Sequence, residues 1–116
     1  MFFKEFEVRW SDLDANRHLA NSAYINFMSH TRMSYLTKLG FAHQAFESLG
    51  IGPVVFYEHI YYFKEAFLGT PITVSLEIMG LSDDGMFFQI EHNFYNHKGE
   101  NLANCEILGA WINLKT

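Results

Sequence analysis

The sequence predicts an α+β fold in which one long helix packs on a curved five-stranded antiparallel sheet. Three observations predict it. The chain opens on a period-two pattern, continues with an apolar stripe at helical spacing, and ends in four strand-like segments, the last three joined by tight turns. Its 116 residues have the length of one domain, 1–116, and a hydrophobic share of 49% can fill a single core.

In the first segment Phe2, Phe6, Val8 and Trp10 fall on one face, and Phe3, Glu5, Glu7 and Arg9 on the other, the alternation of a half-buried strand. From Ser11 to Ala20 turn-prone Asp, Asn and Ser break the alternation into a polar loop. Asn21 or Ser22 then caps a helix over Ser22–Leu39. Its stripe is Tyr24, Phe27, Met28, Thr31, Tyr35 and Leu39, with Asn26, Arg32 and Lys38 elsewhere on the surface, and Gly40 stops it. That helix is about 27 Å long, close to the roughly 33 Å of a ten-residue strand. Phe41–Leu49 predicts a short second helix before the break at Gly50–Pro53.

The remainder reads as strands. Val54–Phe63 is apolar on nearly both faces. Ile72, Val74, Leu76 and Ile78 alternate with Thr73, Ser75 and Glu77, and Ser82-Asp83-Asp84-Gly85 signals a hairpin. Met86, Phe88, Ile90 and Phe94 carry one face of the next strand, and Asn96-His97-Lys98-Gly99 turns the chain into Leu102–Leu114. Hairpins make the sheet antiparallel, and the single helix must cover its apolar face. Val55, Tyr57, Tyr61 and Phe63 need cover on the opposite face, and a homodimer or homotetramer contact supplies it.

Composition excludes several classes of function. A net charge of -5 with eight scattered cations does not suit a nucleic-acid binder. Neither a basic surface helix nor an apolar run of about 20 residues points to a membrane. A single cysteine and an N-terminus of interleaved charges are those of a cytoplasmic protein in a reducing compartment.

The polar loop holds the densest chemistry. Asp12, Asp14, Asn16, His18 and Asn21 occupy ten residues just before the helix. Carboxylate, amide and imidazole supply a base, an orienting donor and a proton carrier. The helix start adds unpaired N–H groups and a positive dipole end that can polarise a carbonyl oxygen. The same residue types also serve simply to turn a chain and cap a helix.

The segment RWSDLDANRHLANSAY, Arg9–Tyr24, resembles the opening of the hotdog-fold thioesterases, which include 4-hydroxybenzoyl-CoA and acyl-carrier-protein thioesterases. Asp12, Asp14, His18, Asn21 and Tyr24 match their D-x-D-x-x-x-H-x-N-N pattern and the aromatic helix behind it. The likeness is strongest over residues 8–40, with YYFKEAFLGT (61–70) similar to the family's central strand and turn. It implies hydrolysis of an acyl-CoA or acyl-carrier-protein thioester by a homo-oligomeric hotdog enzyme, with no cofactor and CoA present only as part of the substrate. Asp14 would be nucleophile or general base, and Asn16 and His18 would orient and assist. The turn around Asn21, Ser22 and Tyr24 would face the carbonyl oxygen. A thioester suits so simple a site, because its carbonyl is weakly conjugated and thiolate leaves readily. The chain departs from the pattern at Arg17, where Gly is common, and at Ala20, where the first of two Asn residues is common.

Glu58 is an additional acid/base candidate, on a strand face shared with Val54, Ile60 and Tyr62, where an inward carboxylate is costly unless used. Cys105 reads as a buried structural thiol. The six His residues show no metal-site spacing, and no Gly-rich phosphate loop is present. Two rivals stay open: a hotdog enoyl-thioester hydratase or dehydratase, and a non-catalytic module that holds an acyl ligand.

Overall fold

The computed structural model describes residues 1–40 and 48–113. Strand β1 (Phe2–Glu7) leads through a single 3-10 turn (Trp10–Asp12) and the polar loop into helix α1 (Asn21–Lys38). Strands β2 (Ile51–Tyr62), β3 (Pro71–Leu81), β4 (Phe87–Tyr95) and β5 (Asn101–Asn113) follow. They form one antiparallel sheet in the order β1-β3-β4-β5-β2. One long helix on a five-stranded sheet is the hotdog arrangement. The short helix expected over Phe41–Leu49 falls mostly outside the described residues.

The core lies between α1 and one sheet face. Ala23, Tyr24, Phe27, Met28 and Thr31 of the helix are buried, as are Ile72, Val74 and Leu76 of β3, Phe94 of β4, and Ala103, Cys105 and Ile107 of β5. Phe6 stacks on Phe27 with ring centroids 4.5 Å apart, and Phe2 meets Tyr35 edge-on at 5.5 Å. The expected stripe therefore points inward as far as Tyr35, whereas Leu39 sits exposed at the C-terminal cap. Among the described residues no helix is long and apolar enough to cross a membrane.

Four expectations need correction. Trp10 does not continue the buried face of β1 and is 71% exposed. The Arg9 backbone N–H and guanidinium both bond the Asp12 carboxylate, which curls the chain out of the strand at that point. Neither Asn21 nor Ser22 caps α1, because the N-cap is Ala20, which makes no side-chain cap bond. Arg32 is not a surface residue. It follows Tyr24 and Met28 at i+4 steps, so it lies on the inward stripe and reaches the sheet, with Nη1 3.2 Å from His92 Nε2.

The fourth concerns β2, whose pairing with β5 shifts register between Val55 and Tyr57. The extra residue inverts the alternation. Val55 therefore packs on the core with Ile60, while Val54 is exposed. Val54 thus lies on the opposite face from Glu58, Ile60 and Tyr62, and Val55 needs no outer cover. Within one chain this strand is also an edge, not a centre, for among the described residues it pairs with β5 alone.

Gly109 is required where β4, β5 and β2 meet. A Cβ there would sit 2.5 Å from the Phe88 ring and 2.6 Å from the Val54 carbonyl oxygen. The ring can swing, but the strand backbone cannot. Gly109→Ala is expected to destabilise the protein by about 2 kcal/mol in urea unfolding. Gly80→Ala is the control, since its nearest contact is an ordinary 3.8 Å to the Gln89 side chain. It should leave the unfolding free energy within about 0.5 kcal/mol of wild type.

Candidate active site

The polar loop is a compact backbone construction. Asp14 N–H donates to the His18 carbonyl at 2.8 Å, Arg17 N–H to the Asp14 carbonyl at 3.0 Å, and Leu13 bridges Leu19. Inside this turn Asp14 Oδ1 accepts the backbone N–H of Asn16 at 2.9 Å and of His18 at 3.1 Å. One carboxylate oxygen thus closes the loop. The other, Oδ2, has no partner among the described residues and belongs to an exposed side chain.

Asp12 has a different role. Its carboxylate is buried, and burial by itself pushes the group's pKa up, but the hydrogen bonds and charge of Arg9 outweigh this and hold it below the ordinary value. The Ala20 N–H donates to the Asp12 carbonyl at 2.8 Å, tying this turn to the helix start. Of the two carboxylates in the motif, Asp12 builds and Asp14 is presented.

Arg17 sits in the left-handed region, with φ at 63°. A Cβ there costs about 1–2 kcal/mol, which gives the physical reason that Gly is common at the matching position. Arg17→Gly relieves this strain and gives back part of it as chain entropy. The expected net gain is about 0.5–1 kcal/mol, roughly 2–4 °C in Tm by calorimetry.

Asp14, His18, Asn21 and Tyr24 line one cleft of about 290 Å³ together with Tyr62, Phe63, Lys64, Glu65 and Ala66. Asn16 and Ser22 are exposed and do not line it, and Asn16 reaches Asp14 through its backbone N–H. Glu58 lies elsewhere, on the inner face of β2, where its charge is felt by Arg32 and Cys105. Tyr24 packs edge-on against Tyr62 at 5.1 Å and Phe94 at 4.9 Å, and burial, with the Tyr62 hydroxyl nearby, pushes its phenol up to about 12. It therefore stays neutral at physiological pH.

Ala20 has no side chain that could cap the first backbone N–H groups of α1. Ala23 and Tyr24 N–H turn back to the Ala20 carbonyl, and those of Asn21 and Ser22 find no partner among the described residues. The departure from the common Asn thus leaves open donors at the positive end of the helix dipole.

Of the two Glu residues that flank the YYFK segment, Glu65, on the connection after β2, lines the cleft and Glu58 does not. Glu65 Oε2 lies 3.2 Å from His18 Nε2, and Phe67 meets the same imidazole edge-on at 5.9 Å. The only signal was the Lys64-Glu65 pair interrupting an aromatic run, and nothing in the spacing joined it to a loop 47 positions earlier. That join is tertiary: Leu19 N–H donates to the Ala66 carbonyl at 3.2 Å.

The sequence profile of the thioesterase-like superfamily matches residues 8–116. The chain belongs to that superfamily. No curated protein matches it in sequence. Among solved structures this superfamily member is similar to a DHNA-CoA thioesterase from Staphylococcus aureus, at 23% identity and a TM-score of 0.89, covering 99% of this chain and 76% of that one. A 1,4-dihydroxy-2-naphthoyl-CoA thioesterase from Synechocystis gives 19% identity, a TM-score of 0.87, and coverages of 97% and 82%. A hypothetical protein from Staphylococcus aureus solved in complex with CoA gives 21% and 0.90, with coverages of 97% and 70%. At these identities the likenesses establish the hotdog fold of the thioesterase-like chain.

Proposed function

We propose that the chain hydrolyses acyl-CoA thioesters to the free acid and CoA. The observation that carries this reading is a carboxylate, Asp14, with one oxygen fixed and one unpartnered, in a cleft it shares with an uncapped helix N-terminus. The thioester carbonyl oxygen lies against the N–H groups of Asn21 and Ser22, where developing negative charge is stabilised. Asp14 Oδ2 either takes a proton from the water that attacks the carbonyl carbon, or attacks that carbon itself to give an acyl-Asp14 anhydride that water then hydrolyses. In both cases the C–S bond breaks and CoA leaves as its thiolate. His18, oriented by Glu65, assists proton movement, and Asn16 contributes through the loop backbone. Two of the neighbours named above are CoA thioesterases and a third was solved with CoA, which supports CoA over an acyl-carrier protein.

Thiol release from a panel of aromatic and aliphatic acyl-CoAs tests the reading. Saturable release of one CoA per acid is expected. Loss of the enoyl ultraviolet band without thiol release would replace hydrolysis by hydration, and binding without turnover would leave a binding module.

The same proposal extends to a homodimer, and β2 supports it. As an edge it exposes Tyr57, Tyr61 and Tyr62, with the Tyr57 hydroxyl 3.1 Å from His59 Nδ1 and the His59 and Tyr61 rings stacked at 4.3 Å. A long apolar edge left bare invites another strand, and a second copy running antiparallel to it gives a closed homodimer. Tyr61→Lys is expected to convert the dimer to a monomer in light scattering, with the circular dichroism unchanged. A wild-type monomer at micromolar concentration would overturn the assignment.

A further inference from the structure

A second cavity, of about 260 Å³, lies between the later half of α1 and the sheet, lined by Ser29, Arg32, Leu36, Val55, Ile90 and Trp111 among others. It is separate from the Asp14 cleft. Arg32 is eight residues, or about 12 Å, along the helix from Tyr24, and buried Phe27 and Met28 occupy the turn between. Apart from Ser29 and the Tyr35 phenol its walls are apolar, and Arg32 is the one charged side chain among the described lining residues, so its guanidinium sets the chemistry.

That guanidinium is held in place but not neutralised. Nη1 bonds His92 Nε2 at 3.2 Å and Nη2 bonds Ser29 Oγ at 3.2 Å. His92 Nδ1 lies 2.8 Å from the Ser75 carbonyl, which fixes that nitrogen as the donor and leaves Nε2 as an acceptor lone pair for Arg32. Both acceptors are therefore uncharged, and two of the five guanidinium N–H groups are used by described residues. Glu58 acts on Arg32 through its field, but no ion pair joins them among the described residues. A half-buried cation facing apolar walls without a paired anion is costly unless a ligand brings the anion.

We propose that this cavity binds a small amphiphile bearing one carboxylate, its apolar body against Val55, Leu36, Ile90 and Trp111 and its carboxylate on Arg32. A carboxylate is favoured over a phosphate because it matches a single planar fork, and among the described residues the cavity is lined by one cation and no second. The volume sits just below the range of about 300–1,000 Å³ for drug-sized ligands, which limits the occupant to a short chain or one or two rings.

The site carries its own reporter. Trp111 lines the cavity, Trp10 is the other tryptophan of the chain, and Trp10→Phe leaves Trp111 emission alone. Octanoate, 1-octanol and octyl phosphate are titrated into that protein with no thioester present, so the outcome is independent of hydrolysis. Octanoate is expected to shift the emission saturably and to bind at least tenfold more tightly than the other two. Arg32→Gln should abolish that tenfold preference and leave octanol binding unchanged. Ile90→Phe, which fills the cavity and keeps the cation, should abolish binding of all three and covers the case in which Arg32→Gln does not fold. Equal affinity for octanoate and octanol, tighter binding of octyl phosphate, an undiminished octanoate preference in Arg32→Gln, or no saturable shift at millimolar octanoate would each overturn the proposal.

Discussion

Asp14→Asn is expected to lower thiol release from acyl-CoA by about 10³-fold while leaving the protein folded, within the 10²–10⁴ range for loss of a positioned base. The substitution separates two jobs of one side chain. Asn keeps an acceptor oxygen in the place of Oδ1, so the bonds from Asn16 N–H and His18 N–H at 2.9 and 3.1 Å persist and the loop holds its shape. What it removes is the negative charge on the unpartnered oxygen, which is the nucleophile or base. Asp14→Ala removes both and should in addition cost about 1 kcal/mol through the two lost loop bonds. Matching circular dichroism and Tm for wild type and Asp14→Asn, with activity read as kcat/KM, is the check. Equal kcat/KM in the two proteins would remove Asp14 from the chemistry and leave it as a loop-former.

The second large effect is on stability and is set by pH. His92 is buried and its pKa is lowered to about 4, first by desolvation, against the pull of the Ser75 carbonyl, and further by the charge of Arg32. In the unfolded chain the same imidazole titrates near 6.5. The unfolded state thus binds the extra proton first, and stability is lost as pH falls from about 6.5 towards 4. The loss attributable to His92 is about 3 kcal/mol over that window. Protonation would also place a second cation 3.2 Å from Arg32, with no lone pair left to accept its N–H. Urea unfolding at pH 7.5, 6, 5 and 4 should show this decline, and His92→Leu should flatten it. The lowered carboxylates, Asp12, Asp84 and Glu100, act at lower pH because their ordinary values are 3.8, 3.8 and 4.5. A profile equally steep in His92→Leu would assign the loss elsewhere.

Both predictions start from residues whose meaning differed in visibility. Asp14 stood out because dense polar side chains ahead of an apolar helix are a local pattern, confined to a few consecutive positions. His92 did not. On a strand of alternating pattern it occupies an inward position like any apolar residue, and nothing nearby in sequence explains an imidazole there. Its explanation is Arg32, 60 positions away. Arg32 was itself misplaced for the same reason, since a charged residue reads as surface unless its i−4 neighbours are followed inward.

What the sequence alone determined is therefore the local and periodic part: α1 to within a residue at each end, three hairpin-linked strands with their Gly turns, and the loop that presents Asp14. Alternation and helical spacing are properties of neighbouring residues, and the chain states them directly. The tertiary structure decided which partners meet. It placed β2 at the sheet edge, inverted its faces with one extra residue, brought Glu65 to His18, and set Arg32 on a neutral His92 beside a cavity. Each depends on a contact between distant segments, and a one-residue bulge or a buried neutral acceptor leaves no periodic mark in the chain.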